Sequence, residues 1–314
     1  MPKLLLFLFT ITIIVLFACK SQDENKETKS MVKNTQKIPK YSLAQWSFNR
    51  ELFSGEMNNY DFIQRAAELG FETVEYVNQF FIDKAENFEF LDSLNNTAKE
   101  AGIKNWLLMV DGAGLLGSQD ETKRNEAIAE HKKWIDAASY LGCSYMRVNA
   151  HGDGSPADML INCETSIREL AEYGAARKVS IVIENHGGIS NDGSWLKKLL
   201  SKLQDKNVGS LTDFDNWCIE RENGKLWGAP CSKEYPRYQG MEDLLPFAKA
   251  LSVKAFEFDE KGNETTIDFK KMFELIDKYD YQEYLSIEYE GHTLPSTEGI
   301  IKTRELANKY FIAD

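Results

Sequence analysis

The chain is poor in histidine and in positive charge. Four histidines in 314 residues are too few for a multi-zinc cluster built on many imidazoles. Lys and Arg number 37 against 49 Asp and Glu, a formal net charge of −12, and acids and polar residues interrupt both Lys20 to Lys40 and Lys197 to Lys206. No basic face is left for a nucleic-acid partner. The five cysteines include no Cys-x-x-Cys pair. Cys143, Cys163, Cys218 and Cys231 therefore read as buried or idle thiols, with a Cys218–Cys231 bridge open to them in an extracytoplasmic chain. No glycine-rich dinucleotide fingerprint follows the first apolar run, and Gly112 and Gly114 lack a third glycine at the required spacing. The apolar stretch Leu4 to Ala18, broken by Thr10 and Thr12, is too short to cross a bilayer comfortably and has the length of a signal core.

That stretch follows Lys3 and ends at Cys19. Leu16-Phe17-Ala18-Cys19 resembles the lipobox of bacterial lipoproteins, with a small residue before the cysteine that is acylated. The resemblance implies a signal over residues 1–19, a lipid on Cys19 and a membrane anchor facing the periplasm or the cell surface. The polar, aperiodic segment 20–39 reads as a disordered tether, and Ser21-Gln22-Asp23-Glu24 resembles the export tag of some bacterial surface lipoproteins.

From residue 40 to 314 apolar runs alternate with helical stretches eight times. Expected strands run from Tyr41 to Trp46, Phe71 to Tyr76, Ile103 to Val110, Tyr145 to Asn149, Val179 to Ile183, Val208 to Leu211, Val253 to Phe258 and Tyr284 to Ile287. Gly70, Gly102 and Gly142 punctuate the intervening helices, as left-handed residues at helix ends do. The fourth of the main helices is expected from Cys163 to Ala176, and the sixth from Met241 to Ala250. An irregular region from Asn216 to Gly240 is expected over one end. Alternation of this kind requires a parallel sheet, because parallel neighbours need a crossover. Eight units over about 250 residues predict a single-domain α/β fold, a closed (β/α)8 TIM barrel.

Acidic residues sit where such a barrel keeps its chemistry. Glu184 follows Ser180-Ile181-Val182-Ile183, Asp213 follows Val208-Gly209-Ser210-Leu211-Thr212, and Glu288 follows Leu285-Ser286-Ile287. An unpaired carboxylate at the end of an apolar run costs several kcal/mol, so its presence calls for a use. Glu75 and His151 stand at the expected exits of strands two and four, and Trp46 at the exit of strand one offers a ring face. These three, with His186 and Lys254, are candidate substrate contacts. Asp215 is read as support for its loop.

The segments Leu43-Ala44-Gln45-Trp46-Ser47-Phe48, Gly70-Phe71-Glu72-Thr73-Val74-Glu75, Ile183-Glu184-Asn185-His186, Leu211-Thr212-Asp213-Phe214-Asp215-Asn216 and Ile287-Glu288-Tyr289 resemble the xylose isomerase-like TIM-barrel superfamily. The resemblance spans nearly all of residues 40–314. It implies a divalent ion held by Glu184, Asp213 and Glu288. The superfamily's fourth ligand, a histidine, is replaced by Ser252, which makes His186 the candidate substitute. A site rich in carboxylates favours Mg²⁺ or Mn²⁺ over Zn²⁺. The implied activity is a sugar isomerase or epimerase, with Glu184 and Glu288 moving protons through an enediolate of an unphosphorylated carbohydrate. Lys254 would stabilise an alkoxide. Elimination from a keto-sugar or inosose shares the first step, and a non-catalytic carbohydrate-binding barrel is the reading from another class.

Overall fold

A computed structural model describes residues 39–204 and 206–311; the expected signal and nearly all of the expected tether lie outside them. Strands β1 (Tyr41–Ala44), β2 (Thr73–Val77), β3 (Lys104–Met109), β4 (Tyr145–Asn149), β5 (Ser180–Glu184) and β6 (Val208–Asp213) are followed by a hairpin of β7 (Cys218–Arg221) and β8 (Cys231–Glu234), then by β9 (Ala248–Ala255) and β10 (Leu285–Tyr289). Helices α1 (Asn49–Ser54), α2 (Asn59–Glu68), α3 (Phe88–Ala101), α4 (Glu121–Leu141), α5 (Pro156–Ala175), α6 (Gly193–Lys202), α7 (Arg237–Leu244), α8 (Phe269–Lys278) and α9 (Ser296–Phe311) fill the connections. The ring closes in the order β1-β10-β9-β6-β5-β4-β3-β2, and every pairing in it is parallel. The expected TIM barrel is the fold observed. No helix among the described residues is long and apolar enough to cross a membrane.

Local chemistry sets the element ends. In α4 the Asp120 side chain accepts from the Thr122 and Lys123 N–H groups, and the helix stops at Gly142 with φ +77°, a conformation that costs glycine nothing. The largest departures from expectation are the start of α5, the end of α7 and the start of β9. Helix α5 begins at Pro156, well before Cys163, because Ser155 and Asp158 form a reciprocal cap around it. Helix α7 ends at Leu244 and a tight turn over Leu245–Phe247 leads directly into β9. Pro246 lacks the N–H that a continuing helix needs, and Ala248 and Ala250 pair with Ser210 and Leu211 instead.

The region expected to be irregular holds the β7–β8 hairpin, and the first residues of its two strands are joined by a Cys218–Cys231 disulfide. This corrects the reading of those two cysteines as idle thiols: antiparallel pairing brings their Cα atoms to 5.8 Å, the usual separation for a bridge. Cys143 and Cys163 are buried and unpaired, as expected.

Strand alternation sends one set of side chains outward to the helices and another into the ring. Val77, Met109, Val182, Leu211 and Ala250 belong to an inner apolar cluster distinct from the larger one between ring and helices. A bulge between β2 and β3 steps the register from Val74–Asn105 to Glu75–Leu107. The skipped Trp106 packs its ring 5.6 Å from Tyr145 and 5.0 Å from Tyr284, next to residues at the starts of β4 and β10. The ring is thereby plugged at the end where its strands begin. Glu75 lies fully buried, and its carboxyl oxygens make no hydrogen bond of good geometry. Burial lifts its pKa from 4.5 to about 8, tempered by the neighbouring Ser286 and Ser42 and reinforced by Glu288.

Two expectations for stability follow from these contacts. A methyl group at Gly299, in the first turn of α9, would lie 2.2 Å from the ring of buried Tyr289. The helical preference for Ala gains about 1 kcal/mol, but overpacking a fixed ring costs about 1–3 kcal/mol, and so short a contact belongs at the upper end. Gly299→Ala is therefore expected to lower the urea midpoint, and an unchanged or higher midpoint contradicts the packing. Glu75 has a folded pKa above its unfolded value, so its contribution is fully present below about 4.5 and is lost as pH rises through about 8. Glu75→Gln should stabilise the fold above about pH 8, by an amount on the order of a few kcal/mol, and lose that advantage below about pH 4.5. Paired unfolding curves at the two pH values measure the difference.

Candidate active site

The C-terminal ends of the ring strands open on a cavity of about 380 Å³, within the roughly 300–1,000 Å³ range of small-molecule sites. Glu184 is the last residue of β5, Asp213 the last of β6, and Lys254 and Glu288 are each one residue short of the ends of β9 and β10. Lys254 and Glu288 are register partners. Glu184, Lys254 and Glu288 line the cavity together with Arg147 of β4. Asp213 has no exposed surface and stands behind the wall.

Two buried cations organise the acids. Lys254 Nζ lies 3.2 Å from Asp213 Oδ2, 3.0 Å from Glu290 Oε1 and 3.7 Å from Glu288 Oε1. Arg147 Nη1 donates to Asp111 Oδ1 at 2.5 Å, and its Nε lies 2.8 Å from Glu184 Oε2. Removing one partner from such a buried pair strands a charge, at a cost of about 3–5 kcal/mol. Further bonds fix the acids in place. Ser252 Oγ donates to Glu288 Oε2 at 2.7 Å. Asp213 Oδ1 accepts from the N–H groups of Asp215 and Asn216, and Asn185 bridges the ends of β5 and β6 through Asp213's own backbone.

The environment splits the protonation states. Burial pushes Glu184 well above the usual carboxylate range, against the pull of Arg147. Burial also raises Glu288, although Lys254 opposes it, and raises Asp213 in the same way. Burial alone would lower the Lys254 pKa, but Asp213, Glu288 and Glu290 outweigh it and keep the ammonium charged. Asp111 is pulled well below the ordinary range because Arg147 overcomes its burial. His186 is held neutral by burial and by Arg147. Asn149 Nδ2 donates to Asp111, so its Oδ1 accepts from His186 Nδ1 at 3.0 Å. This leaves His186 Nε2 as an acceptor.

The expected ion cage is not what these residues build. Among the described residues no group of three His, Cys, Asp or Glu is arranged to hold a metal ion. The physical reason is the donor set. A Lys254 ammonium stands beside Asp213 and Glu288, Arg147 engages Glu184, and the Ser252 hydroxyl is committed to Glu288. His186 Nδ1 faces Asn149 and lies 4.0 Å from Asp111, and it joins no group of three possible ligands among the described residues. The residues present do not fit a divalent Mg²⁺ or Mn²⁺ ion.

The candidate substrate contacts divide. Trp46, His186 and Lys254 line the cavity. Glu75 does not, because it is sealed within the ring. His151 donates from Nε2 to the His186 carbonyl at 2.6 Å and stacks on that ring, so it positions His186 from behind. Asp215 pairs with Arg237 at 2.5 Å and supports its loop, as expected.

Sequence reading missed Arg147, Asp111, Glu290 and Trp227. Arg147 had a signal: it shares the inward parity of Tyr145 and Asn149 in a buried strand. Trp227 had none, since only the folded hairpin brings its ring to 4.7 Å from His186. The Arg221 guanidinium holds that loop through the Leu226 and Ala229 carbonyls.

Solved structures share this architecture. The apo 3-keto-D-glucoside 4-epimerase of E. coli matches with a TM-score of 0.63 at 17% identity, over 86% of this chain and 100% of that one. D-allulose 3-epimerase from Methylomonas sp., solved with D-allulose, matches with a TM-score of 0.64 at 17% identity, over 87% and 98%. An L-ribulose 3-epimerase gives 0.64 at 12% identity, over 87% and 95%. No curated protein sequence matches. A family profile described as xylose isomerase-like TIM barrel matches residues 63–310. With the barrel closed and its acids at the strand ends, the chain belongs to the xylose isomerase-like TIM-barrel family.

Proposed function

We propose that the protein is a sugar isomerase or epimerase that moves a proton at a carbon next to a carbonyl. The observation that carries this reading is the pair Glu184 and Glu288. Both are buried, both have raised proton affinity and both line one cavity. Their strands are three steps apart around the ring, with β6 and β9 between them, so they approach a bound molecule from different sides. Glu288, eased toward ionisation by Lys254 and Ser252, takes the proton from carbon. The C–H electron pair becomes a carbon–carbon double bond while the carbonyl π pair moves onto oxygen, which forms an enediolate. Glu184, whose proton affinity burial raises, returns a proton to the opposite face, and the roles exchange in reverse. Acid and base pKa values displaced toward neutrality suit both transfers.

The substrate proposed is a small unphosphorylated carbohydrate. Trp46 and Trp227 offer ring faces, while Arg147, Lys254 and His186 offer polar contacts; ring faces with a few convergent polar groups suit a sugar. The neutral Glu184 would equally protonate a leaving group on the next carbon, so elimination from a keto-sugar is the second reading. Localisation is proposed as a lipid-anchored protein outside the cytoplasm, with Cys19 acylated. The Cys218–Cys231 bridge supports an oxidising compartment.

Deuterium incorporation from heavy water into monosaccharides and 3-keto-sugars tests the activity. Glu184→Gln and Glu288→Gln should each slow exchange by about 10²–10⁴-fold with the thermal melt retained, and full exchange in either variant removes that residue from the mechanism. A product lacking the elements of water or an alcohol selects elimination. Separately, Cys19→Ala should move the protein out of the membrane fraction. Retention there with an intact N-terminus makes the segment a protein anchor.

A further inference from the structure

Resting on the isomerase or epimerase reading, we propose that Lys254 itself supplies the positive charge that stabilises the enediolate, so that proton transfer here needs no divalent ion. The observation is positional. Lys254 Nζ reaches Asp213 on β6, Glu288 on β10 and Glu290 just past β10, so acids from both flanking strands converge on one ammonium. These include two of the three acids to which the family resemblance assigns an ion.

Coordination distances sharpen the conflict. An ion bonded to Asp213 and Glu288 oxygens at ~2.0–2.6 Å would sit against an ammonium that already lies 3.2 Å and 3.7 Å from those oxygens. Two like charges in a water-poor pocket repel strongly. The remaining donors do not compensate, since Ser252 donates its hydrogen to Glu288 and Glu184 faces the Arg147 guanidinium.

Lys254 is equipped for the substitute role. It lines the cavity, and the carboxylates of Asp213, Glu288 and Glu290 lie within 3.7 Å of its Nζ. It is therefore a fixed cation and hydrogen-bond donor, not an amine nucleophile. The developing oxyanion of the enediolate accepts from Nζ–H, as at other preorganised donor sites. The C–H pair becomes the new carbon–carbon double bond, the carbonyl π pair gives oxygen its charge, the proton goes to Glu288, and no oxidant or further reactant enters.

The test uses the purified full chain after extensive dialysis against EDTA. Calorimetric titration with Mn²⁺ alone should show no saturable site in the native protein. Lys254→His, which replaces the ammonium with an imidazole beside Asp213 and Glu288, should acquire one. Deuterium exchange by the chelator-treated native protein should equal that of the untreated protein. Lys254→Met should lose at least about 10²-fold in exchange, with Lys254→Arg recovering part of it. Because Lys254→Met leaves Asp213, Glu288 and Glu290 without their ammonium, it should melt lower, so exchange is compared for each variant well below its own melting transition. Saturable Mn²⁺ binding by the native protein, together with exchange that disappears on chelation and returns with Mn²⁺, overturns the proposal. So does full exchange by Lys254→Met. Failure of every sugar to exchange would sink the enzyme reading instead, and the Mn²⁺ titration of the native chain would still decide whether Lys254 excludes the ion.

Discussion

Two buried cations, each shared among carboxylates from different strands, hold the mouth of this barrel in its shape. Lys254 ties β9 to the acids at the ends of β6 and β10, and Arg147 ties β4 to β5 and to the loop after β3. Neither charge is stable in a low-dielectric wall without its partners, and the partners are equally costly without the cations. The register of the ring is thus coupled to the electrostatics of the site. A one-residue slip would turn every inward charge to the helix-covered face.

The same low dielectric sets the chemistry. More acids than bases face the cavity, so the carboxyls share the available positive charge unevenly. Asp111 lies against the guanidinium and stays ionised, whereas Glu184 and Glu288 are pushed up. A single pocket then holds carboxyls of raised and of lowered proton affinity side by side. Beneath it Glu75, cut off from solvent and from good hydrogen bonds, adds a neutral polar group to the ring interior.

Much of the fold was legible in the sequence. Apolar runs spaced by helices with terminal glycines predicted the closed parallel ring, because such punctuation acts locally. The same holds for Glu184, Asp213 and Glu288, whose place after apolar runs is a property of the strand. The boundary of α7 was misplaced although Pro246 marks it, since the apolar pattern continues through the break. The Cys218–Cys231 bridge was offered by the sequence only as an alternative to idle thiols, and the hairpin that carries Trp227 was not legible, because polar residues in short antiparallel strands carry no distinctive period.

The amino-acid sequence by itself determined a parallel α/β ring with three acids at one face, since strand periodicity and helix caps act over a few residues. Which basic side chain each of those acids meets was decided only by tertiary structure: Glu184 meets Arg147, while Asp213 and Glu288 meet Lys254. The Lys254 side chain meets Asp213 and Glu288 across two neighbouring strands, and that meeting depends on the closed register of residues distant in the chain.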